Sequence, residues 1–318
     1  MKKTKRDLTR RDFLTQTTGA AVVSAIGCKS TDKSPPRPTV AAKPETKTQV
    51  SDKGLSASTR STVVLVRDEH VLDSNRVANP KILSRMLDDG VVHLLDAPTP
   101  EDAWGSLVKP TDTVGIKSNV WRFLPTPPAL EEALRQRVID AGVPASSIDV
   151  ADRGILGNPV FQKATALINV RPLRTHHWAG VGSCIKNYIM FSDSPSSWHD
   201  DSCANLAGVW DLPAVKGKTR LNILVMLTPL FQGKGPHHYQ AKYTWPYNGL
   251  IIGTDPVAVD ATGVRILEAQ RKVHFGTTQP FSVPPKHIKV AEDKYRLGIA
   301  DPKRIDVIKL GWNKDVLI

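Results

Sequence analysis

Cysteine is nearly absent. The 318 residues contain three, with no Cys-x-x-Cys among them, which leaves an iron–sulfur cluster without a ligand set in this chain. No apolar run approaches the roughly 20 residues that a membrane-spanning helix needs. There is no Gly-x-Ser-x-Gly nucleophile elbow, and Gly182-Ser183-Cys184 does not substitute for one. Gly233-Lys-Gly lacks the spacing of a phosphate loop. A basic stripe with interleaved aromatics is also missing, although the net charge is +12. The first 60 residues hold 13 lysines and arginines against 5 acids. They account for +8, so the rest of the chain carries only +4 and nucleic acid is not an expected partner.

What is present begins with a targeting signal. A lysine-rich start leads into Thr9-Arg10-Arg11-Asp12-Phe13-Leu14, which resembles a twin-arginine export signal with Arg10 and Arg11 as its pair. The apolar stretch Thr18–Ile26 is short and weak. It ends at Ala25-Ile26-Gly27-Cys28, similar to a lipoprotein processing box with Cys28 as the acylated residue. Residues 29–60 are rich in Ser, Thr, Lys and Pro and read as a disordered tether. Residues 1–28 are thus expected to be a signal peptide ending at the lipobox cysteine. The twin-arginine translocase is then a partner, and a lipid anchor would hold the protein at the membrane, in the periplasm or outer cell envelope.

Residues 61–318 alternate strand and helix patterns. Strands are expected at 62–66, 113–117, 148–151, 166–170, 221–227, 249–253 and 305–309, with a further one at 91–95 after Gly90 stops a helix over 80–89. Helices are expected over 129–141, from Pro256 with Asp255 as N-cap, and near 286–296. Residues 188–218 read as a long polar excursion with one short helix near Ala204. The pattern predicts a single α/β domain with a largely parallel or mixed β-sheet flanked by helices.

The densest chemistry follows the strand at 166–170, in Arg171-Pro-Leu-Arg-Thr-His-His-Trp-Ala-Gly-Val-Gly-Ser-Cys-Ile-Lys-Asn187. Three blocks, Val114-Gly-Ile-Lys-Ser-Asn119, Leu167–His176 running into Lys186-Asn187, and Gly249-Leu-Ile-Ile-Gly-Thr-Asp-Pro-Val-Ala-Val-Asp260, together resemble the family called domain of unknown function 362. Two departures stand out: Arg174 replaces the family's usual lysine before Thr-His, and the loop at Gly235-Pro236 carries histidines instead of acids. The resemblance implies no established activity. Many members carry ferredoxin-like cysteine runs, which this chain lacks.

Lys117, Asn119, Arg174 and Asn187 follow or lie near strand ends, and with Asp255 they are the candidate ligand-binding residues. If they converge, they make a cationic pocket for a carboxylate, phosphate or sulfate. His176, Lys186 and Asp260 are the candidate catalytic residues. Asp260 sits on the apolar stripe of its helix, where a carboxylate must be paired or have a raised pKa. Capping alone explains Asp255, and an ion pair with Lys117 or Lys186 would explain Asp260. Metal ligation would need one histidine from each of His176-His177, His199-Asp200-Asp201 and His237-His238, plus an aspartate. No fixed spacing supports that, adjacent histidines on an extended chain point apart, and a metal ion is left open. Cys184 and Cys203 could pair or stay as separate thiols. The expected function is an exported enzyme, redox or metal-assisted, acting on a small anionic ligand. The rival is a non-catalytic ligand- or metal-binding envelope lipoprotein or assembly factor.

Overall fold

The computed structural model describes residues 60–235 and 238–318. Arg10, Arg11, Cys28, the tether up to residue 59 and His237 lie outside them. The strands are β1 (Ser61–Arg67), β2 (Val114–Lys117), β3 (Ile148–Ala151), β4 (Ala166–His176), β5 (Gly180–Gly182), β6 (Thr219–Leu230), β7 (Gly249–Gly253) and β8 (Ile305–Gly311). They form one eight-stranded sheet in the order β3-β2-β4-β6-β7-β1-β8, with β5 paired to β4 off this path. The pairs β3–β2, β2–β4, β4–β6 and β1–β8 are parallel. β7 runs antiparallel to both of its neighbours. The fold is the mixed α/β sheet that the alternating pattern predicts.

The helices are α1 (Pro80–Leu95), α2 (Pro100–Leu107), α3 (Pro128–Asp140), α4 (Pro159–Lys163), α5 (Cys184–Asn187), α6 (Asp200–Cys203), α7 (Pro256–Phe275) and α8 (Lys286–Asp293). Leu83 and Leu87 of α1 and Leu130 and Leu134 of α3 pack with Ile168 and Ile223 on one face of the sheet. Val259 and Ile266 of α7 and Ile185 of α5 pack with Leu173, Leu224 and Ile251 on the other. The sheet is therefore buried on both faces, which is why its central strands read as continuous apolar runs.

Four expectations need correction. Gly90 does not stop α1, and 91–95 is helix. A Cβ at Gly90 would stand 2.5 Å from Ile252 Cδ1, so this glycine lets the helix lie close on β7, and Asp96 in left-handed conformation ends it instead. α2 was not expected; Thr99 caps it, accepting from Asp102 N–H. β4 does not end at Val170 but continues, buried throughout, to His176, so the first six of the seventeen residues of the dense polar stretch lie inside a strand. Its ladder is irregular between Pro172 and Arg174, where the proline cannot donate. Residues 188–218 are not a solvated excursion. Their short turns bury Tyr188, Phe191, Val209 and Trp210 with Phe161 and Leu167.

Candidate functional site

The chain leaves β2 toward α3, on the face of α1, and leaves β4 through β5 toward α5, on the face of α7. Neighbouring parallel strands whose connections depart to opposite faces open a crevice at their carboxyl ends, the place where open α/β sheets bind ligands. Lys117 and Asn119 lie on one side of that crevice, and Arg171, Arg174 and His176 on the other.

The charges there do not balance. Lys117 is fully buried and pairs with Asp152, Nζ to Oδ1 at 2.6 Å, while donating also to the Ser118 carbonyl. Its burial pushes it down to about 8 against the pull of Asp152. Burial works to raise Asp152, but Lys117, helped by the Val120 N–H and Arg171, outweighs it and holds the carboxyl below its ordinary value. Arg171, Arg174 and Lys186 are 5%, 3% and 4% exposed and make no ion pair with a described residue, although Asp152 and Asp260 favour the charge on Arg171 from farther off. Nε of both arginines is buried without a hydrogen bond. Nη1 of Arg174 donates to Asn119 Oδ1 at 3.0 Å, and its guanidinium lies 4.5 Å from the Trp121 ring centroid. The Arg171 guanidinium lies against Gly182, where a Cβ would stand 2.7 Å from one of its terminal nitrogens. Burial lowers both guanidinium pKa values, yet arginine stays charged in proteins.

Lys186 Nζ has His199 Nε2 at 3.2 Å and Cys203 Sγ at 3.9 Å. Burial and then the nearby arginines bring it down to about 8, against the opposing pull of Cys203. The two neighbours are delivered by a costly turn, for Asp201, Ser202 and Cys203 have φ of 47°, 59° and 63°. A left-handed non-glycine residue costs about 1–2 kcal/mol, and strain of this kind collects at functional sites. His176 Nδ1 accepts the Trp178 and Ala179 N–H groups at 3.2 and 3.4 Å. Burial, Lys186 and Arg171 drive its pKa far down, so the ring is neutral with its proton on Nε2. The His176 and His177 rings stack at 4.7 Å; they do not point apart, because His177 begins a turn. His287 of α8 is a residue that the sequence reading missed. It is fully buried, neither ring nitrogen has a partner, and burial with Lys186 and Arg171 pushes it down to about 3.

The remaining candidates are saturated within the protein. Asp260, fully buried on α7, pairs with neither Lys117 nor Lys186. Its Oδ2 accepts Ser183 Oγ–H at 2.6 Å and Ile185 N–H at 2.9 Å, and its Oδ1 accepts Cys184 N–H at 2.8 Å. It thus caps α5, and burial raises it to about 6. Asp255 caps α7 through Val257 and Ala258 N–H and also accepts Ile299 N–H. Asn187 belongs to a line of buried amides. Arg174 donates to Asn119, Asn119 to Asn187 (3.5 Å), Asn187 to Asn169 (2.9 Å), Asn169 to Asn222 (3.0 Å), and Asn222 to the Thr254 carbonyl (3.1 Å). Every donor points away from Arg174. A lone asparagine within an apolar strand, as at 169 and 222, was the signal for it.

Cys184 and Cys203 are free and buried. Among the described residues no three of His, Cys, Asp and Glu come together as a metal site. A cavity of about 310 Å³ near the strand ends is lined by other residues, Arg76 and Pro172 among them, and not by the arginine cluster. No curated protein and no solved structure matches the chain. Residues 114–265, which hold every candidate above except His287, match the model of the family described as Domain of unknown function (DUF362).

Proposed function

We propose that the protein binds a small oxyanion group (carboxylate, phosphate or sulfate) between Arg171, Arg174 and Lys186 and acts on its ligand as an enzyme. One observation carries the reading: two buried guanidinium groups present unpartnered Nε–H donors and no carboxylate. Buried charge is costly unless paired, and the two nearest acids are committed elsewhere, Asp152 to Lys117 and Asp260 to α5. An anion supplies the missing pairing. His176 offers Nε2–H as a neutral donor, and Lys186, brought to about 8, is the group that can give and take a proton near neutrality. A non-catalytic anion-binding module is the second reading, favoured by the structural commitments of Asp260 and Lys117.

The resemblance of Thr9–Leu14 to a twin-arginine signal and of Ala25–Cys28 to a lipobox supports export and a lipid anchor in the cell envelope. Calorimetric titration of sulfate, phosphate and acetate into wild type and Arg174→Met tests the binding. Saturable binding of at least one anion, weakened roughly 10- to 100-fold in the variant as befits one charged hydrogen bond, is expected. No binding of any of the three would sink the reading.

A further inference from the structure

The cavity of about 310 Å³ is distinct from the arginine cluster. Leu72 and Ala78 from the loop after β1, Phe123 and Leu124 from the loop after β2, and Val225 and Leu227 of β6 wall it. Four prolines complete the wall, and their locked φ keeps it formed without ligand. The lining has one charged side chain, Arg76, and one other polar group, Thr228. Arg76 Nη1 donates to Thr244 Oγ1 at 2.9 Å, and it makes no ion pair with a described residue. Its loop is rigid: Leu72 bridges Ala78, and Asp73 Oδ1 accepts both Asn75 and Val77 N–H at 2.8 Å. Arg76 itself is held at φ 62°. An apolar cavity with one fixed polar group at its edge matches the pattern of small-molecule sites, in which apolar walls supply affinity and the polar group sets orientation.

We propose that this cavity binds a carboxylic acid with an apolar body, the carboxylate on Arg76 and the body between Leu72, Phe123 and Leu227. The site does not depend on the oxyanion reading, because none of its residues belongs to the arginine cluster.

Titration of straight-chain carboxylates from acetate to dodecanoate, each below its micelle concentration, tests it. Affinity should rise about fourfold per methylene and stop rising once the chain outgrows the cavity. Thr228→Phe, which fills the space from a half-buried position, should abolish binding. Arg76→Met should weaken it tenfold or more, and Arg174→Met, whatever it does to acetate, should leave the gain per methylene unchanged. Melting temperatures close to wild type would show that the variants fold. Affinity that keeps climbing with length, or that is untouched by Thr228→Phe or Arg76→Met, would overturn the proposal. Loss of the gain per methylene in Arg174→Met would place the apolar body beside the arginine cluster and overturn it equally.

Discussion

Asp260 has three donors on one carboxylate and no cation in contact. Asparagine there would turn an amide N–H toward a backbone N–H, so Asp260→Asn should cost about 1–3 kcal/mol, read by denaturant unfolding. The pH profile gives an independent check. Folded Asp260 titrates at about 6 and an unfolded aspartate at about 3.9. Between these values the native state holds a proton that the unfolded chain has lost. The group's stabilising contribution is therefore full below about pH 4 and is lost as pH rises through 6. The substitution should flatten that segment of the stability curve; an unchanged slope would show that Asp260 does not titrate there. Lys186 sets a second profile. Its charged form is favoured by a bound anion, so sulfate affinity should fall above about pH 8, by up to about tenfold per unit for one linked proton. Lys186→Met should bind sulfate more weakly and without that fall.

At the level of elements, caps and strand ends decide which acids are structural. Asp255→Ala removes the N-cap of α7 and its tie to Ile299, and should cost about 1–2 kcal/mol while leaving sulfate affinity unchanged. A loss of binding that exceeds the loss of folded protein would return Asp255 to the ligand site. The apolar strands were legible because runs such as Leu221–Leu227 are buried on both faces and need no alternation. The β4 extension was not, since Arg, Pro, Thr and His in succession read as a loop, and only the neighbouring chains supply the burial. Gly90 misled for a related reason: a helix stop and a close helix–strand approach have the same residue, and Ile252, which decides between them, is 162 positions away.

Across the whole molecule, the candidate site follows from topology. Opposite exits of β2 and β4 put Lys117, Asn119, Arg171 and Arg174 at one crevice, and the sequence named three of these four from their place near strand ends. Arg171 lies in the same dense stretch, but the sequence does not show which arginine finds a carboxylate. His287 was invisible because a lone histidine after two prolines carries no spacing signal, and it reaches the cluster only when α8 packs against α6 and α7. What distinguishes the cluster is three buried cations that make no ion pair with a described residue, Asp152 and Asp260 acting on Arg171 only from a distance. Anomalous diffraction from a crystal soaked in selenate tests this most directly. The account predicts a selenium peak between Arg171 and Arg174, close to Lys186, that places a selenate oxygen within hydrogen-bonding distance of each Nε. A crystal with selenate bound elsewhere and nothing beside those two nitrogens would contradict it.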